Sequence, residues 1–332
     1  MLRFHFTAAD VMRTHVSTRP DPLWDLILAA NLLGNRDGRV VFDAWRAEAR
    51  KRLAGLPPWQ PRLLRTLAPP VGDFPDFLTP AAASASAAKL EAGIDMVLST
   101  PKAGLRADLA CLPASSPGLR RLADGEPAAL TALGTALRAC HAALVGPHTD
   151  RVRALVDADL ARRARDVLGG GVAGLLAGLA PTLRWRDPVL EADYPDNREV
   201  HLGGRGLLLI PSVFCWRKPV TFIDPGLPPV VVYPVDRGPQ WSSPPAAGSV
   251  DPLVSLLGRR RASCLRHLAD TCSTTELARR IGAGPASASQ HAAVLREAGL
   301  VISARHGNTM LHTLTPLGHA LLSGTTGLEA VP

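Results

Sequence analysis

All fifteen Trp, Tyr and Phe residues of this 332-residue chain lie at or before Trp241. The 91 residues that follow must build any core from aliphatic side chains and cysteine, whereas the first part has large rings at its disposal. Between the two runs Pro239-Gln-Trp-Ser-Ser-Pro-Pro-Ala-Ala-Gly-Ser249, dense in residues that break or loosen regular structure. The chain is expected to divide into residues 1–238, a linker over 239–250, a compact domain over 251–324 and a tail over 325–332. Its length suits two or three domains.

In the first region, apolar residues recur at spacings of three and four, as in Phe42-Trp45-Ala49-Leu53 and Leu130-Leu133-Leu137-Cys140-His141-Leu144. Residues 1 to about 180 are therefore expected to be mainly helical. From about 182 to 236 the pattern changes to short β-prone runs, among them Gly206 to Phe214, Val220 to Ile223 and Val230 to Val235, separated by turn residues. These predict a small antiparallel sheet beside the helices.

The chain carries a net charge of +8, and all of its basic residues except Lys51, Lys89, Lys102 and Lys218 are Arg. Such a balance favours an anionic partner, and the planar guanidinium suits phosphates and guanine. Residues 251–324 hold eight Arg against Asp251, Asp270, Glu276 and Glu297, half of the excess charge in under a quarter of the length. Five cysteines without a close pair do not make a disulfide framework and fit a reducing cytoplasm. Met1 to Asp10 has no apolar run after its first basic residue, so no secretory signal is expected. The uncharged stretch between Asp166 and Arg184 is short for a bilayer and interrupted by glycines, so no membrane association is expected.

The stretch from Asp251 onward has the densest pattern. Asp251-Pro252 suits a helix start, and Arg261 to Ala269 continues as a helix burying Cys264, Leu265 and Leu268. Ser273-Thr-Thr-Glu276 has the spacing of a capping box and begins a short helix, Thr274 to Ile281. Gly282-Ala-Gly284 makes a tight turn, Pro285 starts a second helix, and Gly299 stops it. Leu300 to Ala304 and Thr309 to Leu314 then flank Arg305-His-Gly-Asn308 as a hairpin with a basic tip, and a last helix covers about Pro316 to Ser323. The fold class is α+β: an α-rich N-terminal domain with a small antiparallel sheet, followed by a C-terminal winged helix-turn-helix domain.

This last quarter resembles the winged-helix transcription regulators of the ArsR type. The resemblance is carried by Thr275-Glu-Leu-Ala-Arg-Arg-Ile-Gly282, Pro285-Ala-Ser-Ala-Ser-Gln-His291, Val294-Leu-Arg-Glu-Ala-Gly-Leu-Val301 and Leu314-Thr-Pro-Leu-Gly318. The preceding three quarters resemble an uncharacterised domain found before such winged helices in actinobacterial regulators. The resemblance implies a cytoplasmic homodimer that binds a double-stranded DNA operator, as a repressor, with the N-terminal region dimerising or sensing a small molecule other than a metal. In this family the second helix of the unit enters the major groove.

By helical period Ala288, Ala292 and Leu295 face inward, while Ser287, Gln290, His291 and Val294 face outward. Ser287, Gln290 and His291 are the candidate base contacts, with Gln290 able to bond adenine bidentately, and Ser289 is a further candidate DNA-binding residue. Arg279, Arg280 and Arg296 are candidate phosphate contacts, and Arg305, His306 and Asn308 would reach phosphate or the minor groove from the wing. Two positions depart from the family pattern: Ala292 stands where a larger Leu is expected, and Gly284 where a Ser-type cap is expected.

No catalytic residues, cofactor or metal are assigned. The short helix Thr275 to Ile281 lacks the paired cysteines of a metal sensor. Cys264, His267 and Cys272 read as buried thiols and a surface imidazole, and His312 and His319 as surface imidazoles. Gly169-Gly-Gly-Val-Ala-Gly174 matches a dinucleotide fingerprint in letters but follows a helical run, and Gly203-Gly-Arg-Gly206 reads as a hairpin turn. Trp24, Trp45, Trp59, Trp185 and Trp216 could line an apolar ligand pocket or fill the core. The alternative function is an enzyme or ligand-binding protein that uses the winged helix as a tether or interaction module.

Overall fold

The computed structural model describes residues 1–86, 89–112, 116–237, 241–242, 252–269, 271–307 and 309–323. The chain is of the α+β class and forms two compact units, Met1–Ser243 and Pro244–Pro332.

The first unit opens with strand β1 (Leu2–His5), helix α1 (Ala8–Arg13) and strand β2 (His15–Val16). Helices α2 (Pro22–Gly34), α3 (Arg39–Ala54), α4 (Trp59–Leu67), α5 (Ala81–Ala85), α6 (Leu90–Leu98), α7 (Lys102–Leu109), α8 (Pro117–Ala123), α9 (Pro127–Leu144) and α10 (Thr149–Ala177) follow. Strands β3 (Leu183–Arg186), β4 (Val189–Ala192), β5 (Arg198–His201), β6 (Leu208–Ser212) and β7 (Val230–Pro234) complete it. Local chemistry explains where helices start. Asp21 accepts from the amides of Leu23 and Trp24, both at 3.0 Å, and Pro22 occupies the first turn of α2. The α9 to α10 stretch is long and apolar enough to cross a bilayer by composition, but α9 spends Leu133, Leu137, Cys140 and Leu144 on the core.

Two sheets stand where one small antiparallel sheet was expected. One is mixed, in the order β3-β4-β1-β5, with β1 antiparallel to β4 and parallel to β5. The other, β2-β6-β7, is entirely parallel. The reason lies in burial. Leu208, Ile210, Val230 and Val232 face a core of helices around Trp24 and Trp45, while Leu209, Val231 and Tyr233 face a second core with Phe4 and Leu190. Strands covered on both faces read as unbroken apolar runs rather than alternating ones, and that is the habit of parallel sheets. The β-prone run Val220 to Ile223 contributes only a bridge, Val220 to Val232.

Two loop readings also change, and the glycine run lies within a helical stretch as expected. Gly203 to Gly206 joins strands of different sheets, so it is not a hairpin turn. It is pinned by Arg205, which donates to the carbonyls of His201, Leu202, Pro225 and Leu227. Helix α10 bends at Gly170 and Gly171, the latter at φ 61°, which places the glycine run at a corner between two helical stretches. Trp241 was assigned to the linker but is 2% exposed, with its ring 5.4 Å from that of Phe214 and 5.9 Å from that of Phe42. Apart from Trp241 and Ser242, the expected linker 239–250 lies outside the described residues, as do the Asp251 helix start and the tail 325–332.

The second unit runs α11 (Pro252–Leu257), α12 (Arg259–His267), β8 (Cys272–Ser273), α13 (Thr274–Arg280), α14 (Pro285–Glu297), β9 (Val301–His306), β10 (Thr309–Leu314) and α15 (Pro316–Ser323). Its sheet has the order β8-β10-β9 and is antiparallel. Its core is aliphatic, as the absence of rings requires: Leu265, Leu268, Leu277, Ala288, Ala292, Leu295, Leu300, Val301 and Leu314, with Cys264 and Cys272.

Candidate nucleic-acid interface

The pair α13 and α14 is shaped by its ends. Ser273 caps α13 by accepting from the Glu276 amide at 3.2 Å. The reciprocal half of the expected capping box does not form, because the Glu276 carboxylate turns to Arg279 (2.6 Å) and Arg280 (2.8 Å). Gly282 at φ 59° lets the Ala283 amide reach back to the Ala278 carbonyl at 2.9 Å, closing α13 in a Schellman turn. Gly299 at φ 71° ends α14 in the same way, with Leu300 donating to Leu295. Gly284 offers no side-chain cap to α14, and Pro285 fills its first turn.

Ala288, Ala292 and Leu295 are buried on one face of α14. Gln290 is exposed, Ser287 and His291 are half-buried, and Val294 is 37% exposed on the face opposite. Ser287 Oγ lies 3.3 Å from His291 Nε2, so the two share one polar surface and restrict each other's orientation. Ser289 and Arg296 are exposed on the flank of the same helix, seven residues apart. The arrangement provides an amide, an imidazole and hydroxyls on a helix whose own backbone groups are mostly satisfied internally.

Arg279 and Arg280 are exposed at the end of α13, where cations complement the helix dipole. Both are held by Glu276, and those hydrogen bonds, that of Arg279 foremost, bring its carboxyl down to about 2. The triad therefore presents less positive charge than two free arginines would. Arg305 and His306 are exposed at the end of β9, and Arg305 Nε donates to the Gly307 carbonyl at 3.2 Å. Gly307 takes φ 59° at the hairpin tip, while Asn308 lies outside the described residues.

The run Arg259-Arg-Arg261 was counted as charge but not as part of a site. It forms the first turn of α12, where the dipole disfavours cations, so helix stability does not account for it. Arg260 reaches the Gly282 carbonyl at 3.3 Å and so lies beside the turn between α13 and α14. The three consecutive arginines at a helix start were the available signal.

His312 is not a surface imidazole. It is 3% exposed on β10, with Nε2 2.9 Å from Thr274 Oγ1 and Nδ1 2.8 Å from Ser303 Oγ. Burial, and secondarily the charge of Arg296, pushes it below the usual imidazole range. Cys264 is fully buried, and burial raises its thiol to about 11. Among the described residues no group of three or more His, Cys, Asp and Glu converges as a metal site.

In the first unit Trp24 and Trp45 are fully buried, and each indole N–H is satisfied, by Ser84 and by the Leu144 carbonyl. Trp185 packs edge-on against Phe6, and Trp59 is 43% exposed. Trp216 borders two open clefts. No family model, curated protein or solved structure matches this chain.

Proposed function

We propose that this chain is a transcription regulator that binds double-stranded DNA through a winged helix-turn-helix in residues 252–323. In this reading α14 enters the major groove and the β9–β10 hairpin is the wing. The observation that carries it is the two-sided character of α14. Ala288, Ala292 and Leu295 anchor one face, while Ser287, Gln290 and His291 stand together on the other, flanked by Arg296. Gln290 can pair with adenine, Val294 can meet a thymine methyl, and the arginines of α12, α13 and the hairpin supply phosphate contacts. The net charge of +4 over residues 251–324 favours the same partner.

The protein acts as a cytoplasmic homodimer on a near-palindromic operator and represses, with the first unit responding to a small molecule other than a metal. A response of this kind requires that the effector favour one arrangement of the paired DNA-binding units over another. Selection of bound duplexes from a random library by the full chain tests the reading. The expected product is a pair of inverted half-sites about 10–10.5 base pairs apart, or a multiple of that spacing. Recovery of no enriched sequence contradicts it.

A further inference from the structure

The parallel sheet β2-β6-β7 ends in a cleft that the DNA-binding reading leaves unused. In open parallel sheets, ligands bind beyond the carboxyl ends of the strands, where successive loops diverge. Here the segment after β6 brings Trp216 and Arg217, and the segment after β7 brings Val235, Asp236 and Arg237. Arg162 and Arg163 of α10 form the opposite wall of a cleft of about 470 Å³.

The charges of this cleft do not cancel. Arg163 is matched by Asp159 at 3.1 Å and Asp166 at 2.9 Å, and Asp159 also accepts from Tyr233 Oη at 2.6 Å. Arg162 and Asp236 approach only to 3.8 Å, both exposed. Arg217 and Arg237 make no ion pair among the described residues. Arg237 instead donates to the carbonyls of Val235 and Cys215, has no partner for its buried Nε among the described residues, and lies 5.0 Å from the centre of the Phe42 ring and 5.1 Å from that of Trp216. Arg217 sits over Trp216 at 5.4 Å and is the only non-glycine residue with positive φ among the described residues, at 60°. A strained backbone that projects an unpaired cation is a feature that functional sites retain.

We infer that this cleft binds a small organic oxyanion, a carboxylate or a phosphate ester, and that it is the effector site of the proposed regulator. Arg217 and Arg162 supply direct donors, the uncompensated charge of Arg237 adds attraction, and Trp216 offers a flat face for the organic part. The assignment to regulation rests on the DNA-binding reading and on covalent connection: Arg237 forms a wall of the cleft, and the second unit begins seven residues later at Pro244. An anion bound beside Arg237 therefore sits, in sequence, next to the segment that leads from the first unit to the second.

The test uses the full chain, titrated with inorganic phosphate, ribose 5-phosphate and benzoate at constant ionic strength, with chloride as the control. Binding is read by tryptophan fluorescence and by calorimetry, and again in Arg162→Gln/Arg217→Asn, in which Asn tolerates the positive φ. The expected result is saturable binding of at least one probe, weakened about tenfold or more in the double variant whose melting is unchanged. Preference for ribose 5-phosphate assigns a phosphate head, and preference for benzoate a carboxylate. Absence of saturation by all three, or equal binding by the double variant, overturns the site. The bound probe should also shift affinity for a selected duplex severalfold; ligand binding with unchanged duplex affinity overturns the effector assignment. A protein that binds probes but no duplex would instead refute the DNA-binding reading.

Discussion

The hydroxyls of Thr274, at the start of α13, and Ser303, on β9, hold the buried ring of His312 on β10, and its burial makes the second unit sensitive to acid. The folded state prefers the neutral imidazole, so its pKa there lies below the unfolded value near 6.5. The unfolded chain then binds more protons in the window below 6.5, and stability present above that pH is lost as pH falls through it. His312→Asn should reduce this dependence: the difference in melting temperature between wild type and variant shrinks from pH 8 to pH 5. A constant difference across that range would show that His312 does not contribute in this way. Composition suggested a surface imidazole, because burial of a polar residue between two strands depends on partners that only the folded chain assembles. The polar face of α14 was readable from the spacing of Ala288, Ala292 and Leu295 alone, whereas the diversion of Glu276 from its capping role rests on its pairing with Arg279 and Arg280 in the folded chain.

Individual elements of the second unit were legible because their boundaries are chemical. Gly282 and Gly299 stop α13 and α14 with positive φ, and Ser273 and Pro285 start them. Gly318 serves a different purpose in α15: a Cβ there would stand 2.2 Å from the Leu300 carbonyl oxygen, so only glycine permits the close approach. Gly318→Ala is expected to destabilise this unit by about 1–3 kcal/mol. Tryptophan fluorescence reports the first unit alone, so far-ultraviolet circular dichroism should show an earlier partial transition while the fluorescence melt stays in place. Coincident, unshifted melts would argue against the contact. The elements of the first unit were harder to read. β1 and β2 are short and precede the region of clear pattern, and the parallel pairing of β6 with β7 depends on cover from both faces that no local spacing reveals.

At the scale of the whole molecule, the lack of rings after Trp241 marked a real change in how the chain builds its cores. The first unit uses Trp24, Phe42, Trp45, Phe214 and finally Trp241 itself, whereas the second closes on leucine, alanine and cysteine. Half of the net charge belongs to residues 251–324, and the rest of the excess is spread over a region more than twice as long, part of it in the cleft beside Trp216. The proposed division of labour assigns recognition of DNA to the smaller unit and of an anion to the larger. In the proposed function α14 reads base edges. The most direct measurement is the affinity of the full chain for its selected duplex and for a scrambled duplex of equal length, by fluorescence anisotropy at two salt concentrations, compared with Gln290→Ala/His291→Ala. Wild type should prefer the selected duplex by at least about a thousandfold at moderate salt. The variant should lose much of that preference while keeping the salt-dependent binding common to both duplexes. An unchanged preference in the variant, or equal affinity of wild type for both duplexes, would contradict that role of α14.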